Sequence, residues 1–181
     1  TLYGLAFEHW PWSTFGDADK LRAYNPLTRV PTLVLEGGDV LIETSAITDY
    51  IDGLVPAERR LFPAEQPARY RAMRVAAFAG GLSDLAVRLF YEQVLHAEPS
   101  DVLVERLLTQ LRSGLATLEG ECAELVSPYW FGESIGYADI AVAAALRHMK
   151  EAHPGLVDGA DYPALIAFSE RLEGLPVFRE I

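Results

Sequence analysis

The stretch Asn25-Pro26-Leu27-Thr28-Arg29-Val30-Pro31-Thr32-Leu33-Val34-Leu35-Glu36-Gly37-Gly38-Asp39-Val40-Leu41-Ile42-Glu43-Thr44-Ser45-Ala46-Ile47 decides the fold of this chain. Residues 32–35 and 40–42 are short apolar runs, and Gly37-Gly38-Asp39 joins them, which predicts a β-hairpin. Pro31 opens the first strand, and Val-Pro at a tight approach is a place for a cis peptide, since only X-Pro bonds reach cis at small cost. A helix is predicted from Thr44 or Ser45, either of which supplies an N-cap hydroxyl, with Asp49 early in it. Glu43 then stands beside a helix N-terminus, where backbone N–H groups are free. A carboxylate and those N–H groups make one place able to hold both an amine and a carboxylate.

Outward from this stretch the chain changes character. Residues 7–12 alternate like an edge strand, with Pro11 tolerated there, and residues 17–24 read as a short helix with acids in its first turn. The helix after Glu43 stops at Gly53, and residues 55–67, with prolines at 56, 63 and 67, read as a linker. Beyond it the period becomes helical. Phe78, Leu82, Leu85 and Leu89 form one stripe, and Val104, Leu108, Leu111, Leu115, Leu118, Cys122 and Leu125 form a longer one. Residues 139–150 and 163–172 give two more helices, the last with Pro163 in its first turn.

Composition narrows the function. The chain has 181 residues, half of them hydrophobic, and a formal net charge of −11. That charge argues against a nucleic-acid partner, which needs a basic surface. The single cysteine, Cys122, excludes an intrachain disulfide and points to a reducing, cytoplasmic setting. Cys122 continues an apolar stripe, so it is expected to be a core thiol and not a nucleophile. His9, His96, His148 and His153 show no metal-ligand spacing and are expected at the surface, so no metal is expected. No apolar run approaches the ~18 residues of a membrane span.

The ordered set Asn25-Pro26, Val30-Pro31 and Glu43-Thr44-Ser45-Ala46-Ile47 resembles the glutathione transferase family, with Thr44 where serine is usual. Gly132-Glu133-Ser134-Ile135-Gly136-Tyr137-Ala138-Asp139-Ile140-Ala141 resembles a second family mark, an N-capping box in the helical half. Gly136 occupies the capping position, so only the return bond from Asp139 is expected, with Ile135 and Ile140 as a hydrophobic staple. The resemblance implies a thioredoxin-like α/β domain at residues 1–55, incomplete here, and an all-α helical-bundle domain at 66–181.

It also implies a function in detoxification: conjugation of the glutathione thiolate to an electrophilic small molecule. Its alternatives are a glutathione-dependent thiol reductase and a non-catalytic binding or regulatory relative. Glutathione would lie along the hairpin, with the Val30 backbone, before a cis Pro31, bonding its cysteinyl part. Glu43 would take the γ-glutamyl amine, Thr44 the adjacent carboxylate, and Arg29 the glycine carboxylate. Leu89, Phe90, Tyr91 and Val94 would wall a pocket for the electrophile. Residues 1–5 read as the tail of a helix stopped by Gly4, so roughly 20 residues, a strand, a turn and part of a helix, are expected before Thr1. The family's catalytic Ser, Tyr or Cys would lie among them, which leaves the catalytic residue unassigned. The resemblance further implies a homodimer through residues 66–95, with Arg69, Arg71 and Arg74 meeting Asp49 or Asp52 of the second copy.

Overall fold

The computed structural model describes residues 2–179. Two compact units divide the chain, Thr1–Arg60 and Leu61–Ile181.

In the first unit, β1 (Thr32–Val34) and β2 (Val40–Ile42) form an antiparallel pair with Leu33 opposite Leu41. The Gly38 backbone, at φ 90°, closes the turn by donating its N–H to the Leu35 carbonyl. Helix α1 (Ala18–Arg22) precedes the hairpin and α2 (Thr44–Gly53) follows it. Gly4 has φ 66°, the left-handed conformation of a helix stop, while Thr1 lies outside the described residues.

Residues 7–12 are not a strand. Pro11 is the physical reason: the Trp12 N–H turns back to the Trp10 carbonyl at 2.8 Å, a three-residue turn that breaks the extended course. Trp10 and Trp12 instead stack on each other at 4.9 Å and lean on Tyr24, which is packing. The N-cap of α2 also differs from expectation. It is Glu43, whose side chain makes no capping bond, and not a hydroxyl of Thr44 or Ser45.

The second unit is helical: α3 (Ala68–Leu95), α4 (Asp101–Ala123), α5 (Tyr137–Ala152), α6 (Pro163–Glu173) and a short α7 (Pro176–Arg179). Helix α3 packs on α4 and α5, and α6 closes the bundle against α4 and α5. Leu111, Leu115, Leu146 and Leu165 are wholly excluded from water at the centre, each worth ~1.5–3 kcal/mol of burial. Where α3 meets its neighbours it offers Ala72, Ala79 and Ala86, and small side chains let the helices approach closely. Asp139 ties α5 to the preceding loop: its carboxylate accepts the N–H of Gly136 and of Trp130, both at 2.8 Å. Glu119 of α4 does the same for α6, accepting from Ala164 and Leu165 at 2.9 Å each. Both are carboxylates at helix N-termini, where free N–H groups and the dipole favour them.

His153 is a correction. It is buried, with Nε2 2.9 Å from the Ala86 carbonyl, and it joins α5 to α3 instead of facing water. His148 is half-buried, and burial followed by the neighbouring His153 lowers its pKa.

Candidate functional site

Asn25 organises the loop that leads into β1. It is buried, with 1 % of its surface exposed. Its Nδ2 donates to the Arg29 carbonyl at 2.9 Å and to Thr32 Oγ1 at 3.1 Å, and its Oδ1 accepts the Leu27 N–H at 3.0 Å. The Thr32 hydroxyl donates to the same Arg29 carbonyl at 2.9 Å. A loop of residues 25–32 is thereby fixed by one amide. Asparagine suits the position because it is donor and acceptor at once and forms turns with its own backbone.

Two non-glycine residues among those described have positive φ, and both belong to this region: Thr28 at 52° and Glu43 at 68°. Such conformations cost ~1–3 kcal/mol and persist where function or surrounding structure enforces them. At Glu43 the backbone turns from β2 directly into α2, which leaves the carboxylate exposed at the mouth of the helix.

Arg29 faces Glu43, Nη1 to Oε1, at 3.4 Å, and both side chains are more than half exposed. The Val30–Pro31 peptide is cis, as expected from sequence. Val30 and Pro31 are exposed beside β1, and Thr44 is exposed at the first turn of α2. Arg29, Val30, Pro31, Glu43 and Thr44 thus surround one end of the hairpin. A positive and a negative group, exposed backbone and a helix N-terminus converge there.

Of the residues expected to wall an electrophile pocket, Leu89 is buried in the helical core, whereas Phe90, Tyr91 and Val94 are exposed on α3. Cys122 is buried, and burial pushes its thiol up to about 11, so it stays protonated and inert. Among the described residues no group of His, Cys, Asp and Glu side chains is gathered for a metal. None of the described helices is long and apolar enough to cross a membrane.

Sequence reasoning noticed Asn25 but gave it no role. The Asn-Pro pair, with a threonine seven residues beyond it, was the available signal. The strain at Glu43 left none.

Residues 1–54 match the family model described as glutathione S-transferase, N-terminal domain, and residues 101–171 match glutathione S-transferase, C-terminal domain. A glutathione transferase family member from Pseudomonas fluorescens Pf-5, solved with bound glutathione, is 33 % identical with a TM-score of 0.78, over 87 % of this chain and 75 % of that one. A glutathione S-transferase from Methylobacterium radiotolerans, solved with glutathione sulfonate, is 25 % identical with a TM-score of 0.85, over 93 % of this chain and 79 % of that one. A probable glutathione S-transferase of Oryza sativa subsp. japonica is 27 % identical over 94 % of this chain and 75 % of its own length.

Proposed function

The chain belongs to the glutathione S-transferase family, and on that footing we propose that it transfers glutathione to an electrophilic small molecule, binding the tripeptide along β1 at Arg29, Val30, Pro31, Glu43 and Thr44. One observation carries the reading: Glu43 stands exposed at the start of α2, directly after the hairpin, in the domain matched to the family's N-terminal model. Its carboxylate takes the γ-glutamyl amine. The first N–H groups and hydroxyl of α2 take the carboxylate on the same carbon. The Val30 backbone pairs with the cysteinyl unit as an added strand would.

The reaction forms a C–S bond. The glutathione thiol loses its proton to solvent, the thiolate attacks an electrophilic carbon, and the leaving group departs with its bonding electrons. Relatives crystallised with glutathione and with glutathione sulfonate support binding of the tripeptide. They leave the acceptor open, and Phe90, Tyr91 and Val94 are the apolar side chains we assign to its pocket. We extend the proposal to a cytoplasmic homodimer formed through α3, which exposes Tyr70, Met73 and Phe78.

Calorimetric titration with glutathione tests the binding site. Glu43→Ala is expected to weaken affinity by about 1–3 kcal/mol, the scale of a charged hydrogen bond. Unchanged affinity removes Glu43 from the site. Turnover of an activated aryl chloride supports transfer, reduction of a small mixed disulfide supports a thiol reductase, and binding without either supports a non-catalytic relative.

A further inference from the structure

The Arg29–Glu43 pair bears on which end of the ligand the arginine recognises. The family resemblance gives Arg29 to the glycine carboxylate, and the structure sets its guanidinium 3.4 Å from the carboxylate of Glu43. An α-amino acid head carries its ammonium and its carboxylate on one carbon. A site that recognises both needs an anion and a cation within a few ångströms of each other, and these two side chains provide that. The glycine carboxylate of an extended tripeptide lies roughly 10 Å further on, at ~3.4 Å per residue.

The base of the arginine is anchored as well, because Asn25 Nδ2 and the Thr32 hydroxyl both donate to the Arg29 carbonyl. We propose that Arg29 reads the α-carboxylate of the γ-glutamyl head and is a specificity-determining residue for a zwitterionic amino acid terminus. The proposal rests on the reading of Glu43 as the partner of the amine.

The pair also explains selectivity. Without ligand, Arg29 and Glu43 neutralise one another. A zwitterionic head inserts between them and replaces one ion pair with two, leaving neither side chain uncompensated. A head with only a carboxylate meets Glu43, and a head with only an ammonium meets Arg29. Each leaves a like charge opposed, which is discrimination by repulsion as well as by attraction.

The test compares three ligands on the protein as its gene encodes it, wild type and Arg29→Gln, by calorimetry. They are glutathione, its glycine-amide derivative, and an analogue whose γ-glutamyl unit lacks the α-carboxylate. Arg29→Gln is expected to weaken glutathione and the glycine amide equally, by about tenfold, as loss of a charge-assisted bond does. The decarboxylated analogue should bind the variant at least as well as it binds wild type, and Arg29→Lys should restore part of the glutathione affinity.

If the substitution weakens the decarboxylated analogue while sparing the glycine amide, Arg29 serves the far end and the proposal falls. It falls equally if no ligand responds to the substitution. Failure of wild type to bind glutathione at all overturns the site itself, a result distinct from either.

Discussion

The two units of this chain are held together by different physics. In the helical unit, order comes from apolar side chains packed across four helices, with Leu107, Leu111, Leu115, Leu146 and Leu165 shut away from water. Among the described residues of the first unit the buried apolar side chains are Leu21, Ile47 and Val55, and two polar ones, Asn25 and Asp52, are buried as well. Directional bonds carry much of the load there. Asn25 fixes the loop before β1, and Asp52 accepts the Tyr3 hydroxyl at 2.7 Å. The contrast suits the work. The proposed ligand edge must keep exposed backbone and charge, so it is shaped by hydrogen bonds, while a helical bundle is free to be greasy inside.

The largest effect should come from the bundle. Leu111→Ala deletes a fully buried side chain at the centre of α4, and it is expected to cost about 3–5 kcal/mol of stability through lost burial and a residual cavity. Urea unfolding checks it. A loss under about 1 kcal/mol would mean that the core collapses around the deletion, which interlocked helices resist.

Next comes one of the buried polar groups inside the bundle. Asp139→Ala leaves the N–H groups of Trp130 and Gly136 without their acceptor, at an expected cost of about 2–4 kcal/mol. The pH dependence has a definite sign. Burial raises the Asp139 pKa above the ordinary 3.8, outweighing the N–H bonds that lower it. Over the interval from 3.8 to that raised value the folded state holds a proton that the unfolded state has released. The Asp139 contribution is therefore full below 3.8 and declines as pH rises through the folded value. The urea midpoint of wild type minus that of Asp139→Asn, measured across pH 3–7, should fall as pH rises over that interval (the span is chosen to bracket ordinary carboxyl values). A rise in that difference would reverse the sign.

In the first unit the test is Asn25→Ala. It removes three bonds that fix residues 27–32 and is expected to cost that unit about 1–3 kcal/mol. Glutathione affinity should fall with it, since the Val30 backbone loses its support. Hydrogen exchange separates the units: protection should drop across the hairpin and hold in α4 and α5. Equal loss in both would erase the contrast.

How far sequence revealed each unit follows from the same division. The helical period located α3 to α6, but the buried face was read slightly out of phase. The stripe through Val104, Leu108 and Leu125 puts those residues at the edge of the core, while Leu107, outside the stripe, is buried. A 3.6-residue turn drifts against a four-three spacing over so long a helix. On α3 the true contact face is alanine-rich, and Phe78, expected inside, is at the surface. Apolar size is a poor guide where backbones approach closely.

Buried Glu92 gave no warning either. It accepts the Ser100 N–H at 2.7 Å and stands 2.9 Å from His96 Nδ1, partners that only the turn after α3 brings together. In the first unit the hairpin and Glu43 were legible because motif spacing fixes them. The Pro11 turn and the Asn25 amide network were not, because hydrogen-bond direction leaves no periodic trace.

The smallest effect is expected at Arg74, and it bears on assembly. Sequence placed Arg69, Arg71 and Arg74 against Asp49 or Asp52 of a second copy. Two of these side chains already have partners within their own chain. Asp52 is buried under the Tyr3 hydroxyl, and Arg74 Nη2 donates to both oxygens of Glu121 on α4, at 2.9 and 2.8 Å. Arg69 lies over the Phe62 ring at 5.1 Å. Arg74 is half exposed, so its pair is screened by water and carries the cost of holding two long side chains still. Arg74→Ala should therefore shift stability by only about 0–1 kcal/mol. It should also leave the proposed dimer intact, because the arginine is already satisfied within its own chain. Light scattering of wild type and variant at matched concentration checks this. A variant that dissociates where wild type does not would show that Arg74 exchanges Glu121 for a partner on the second copy.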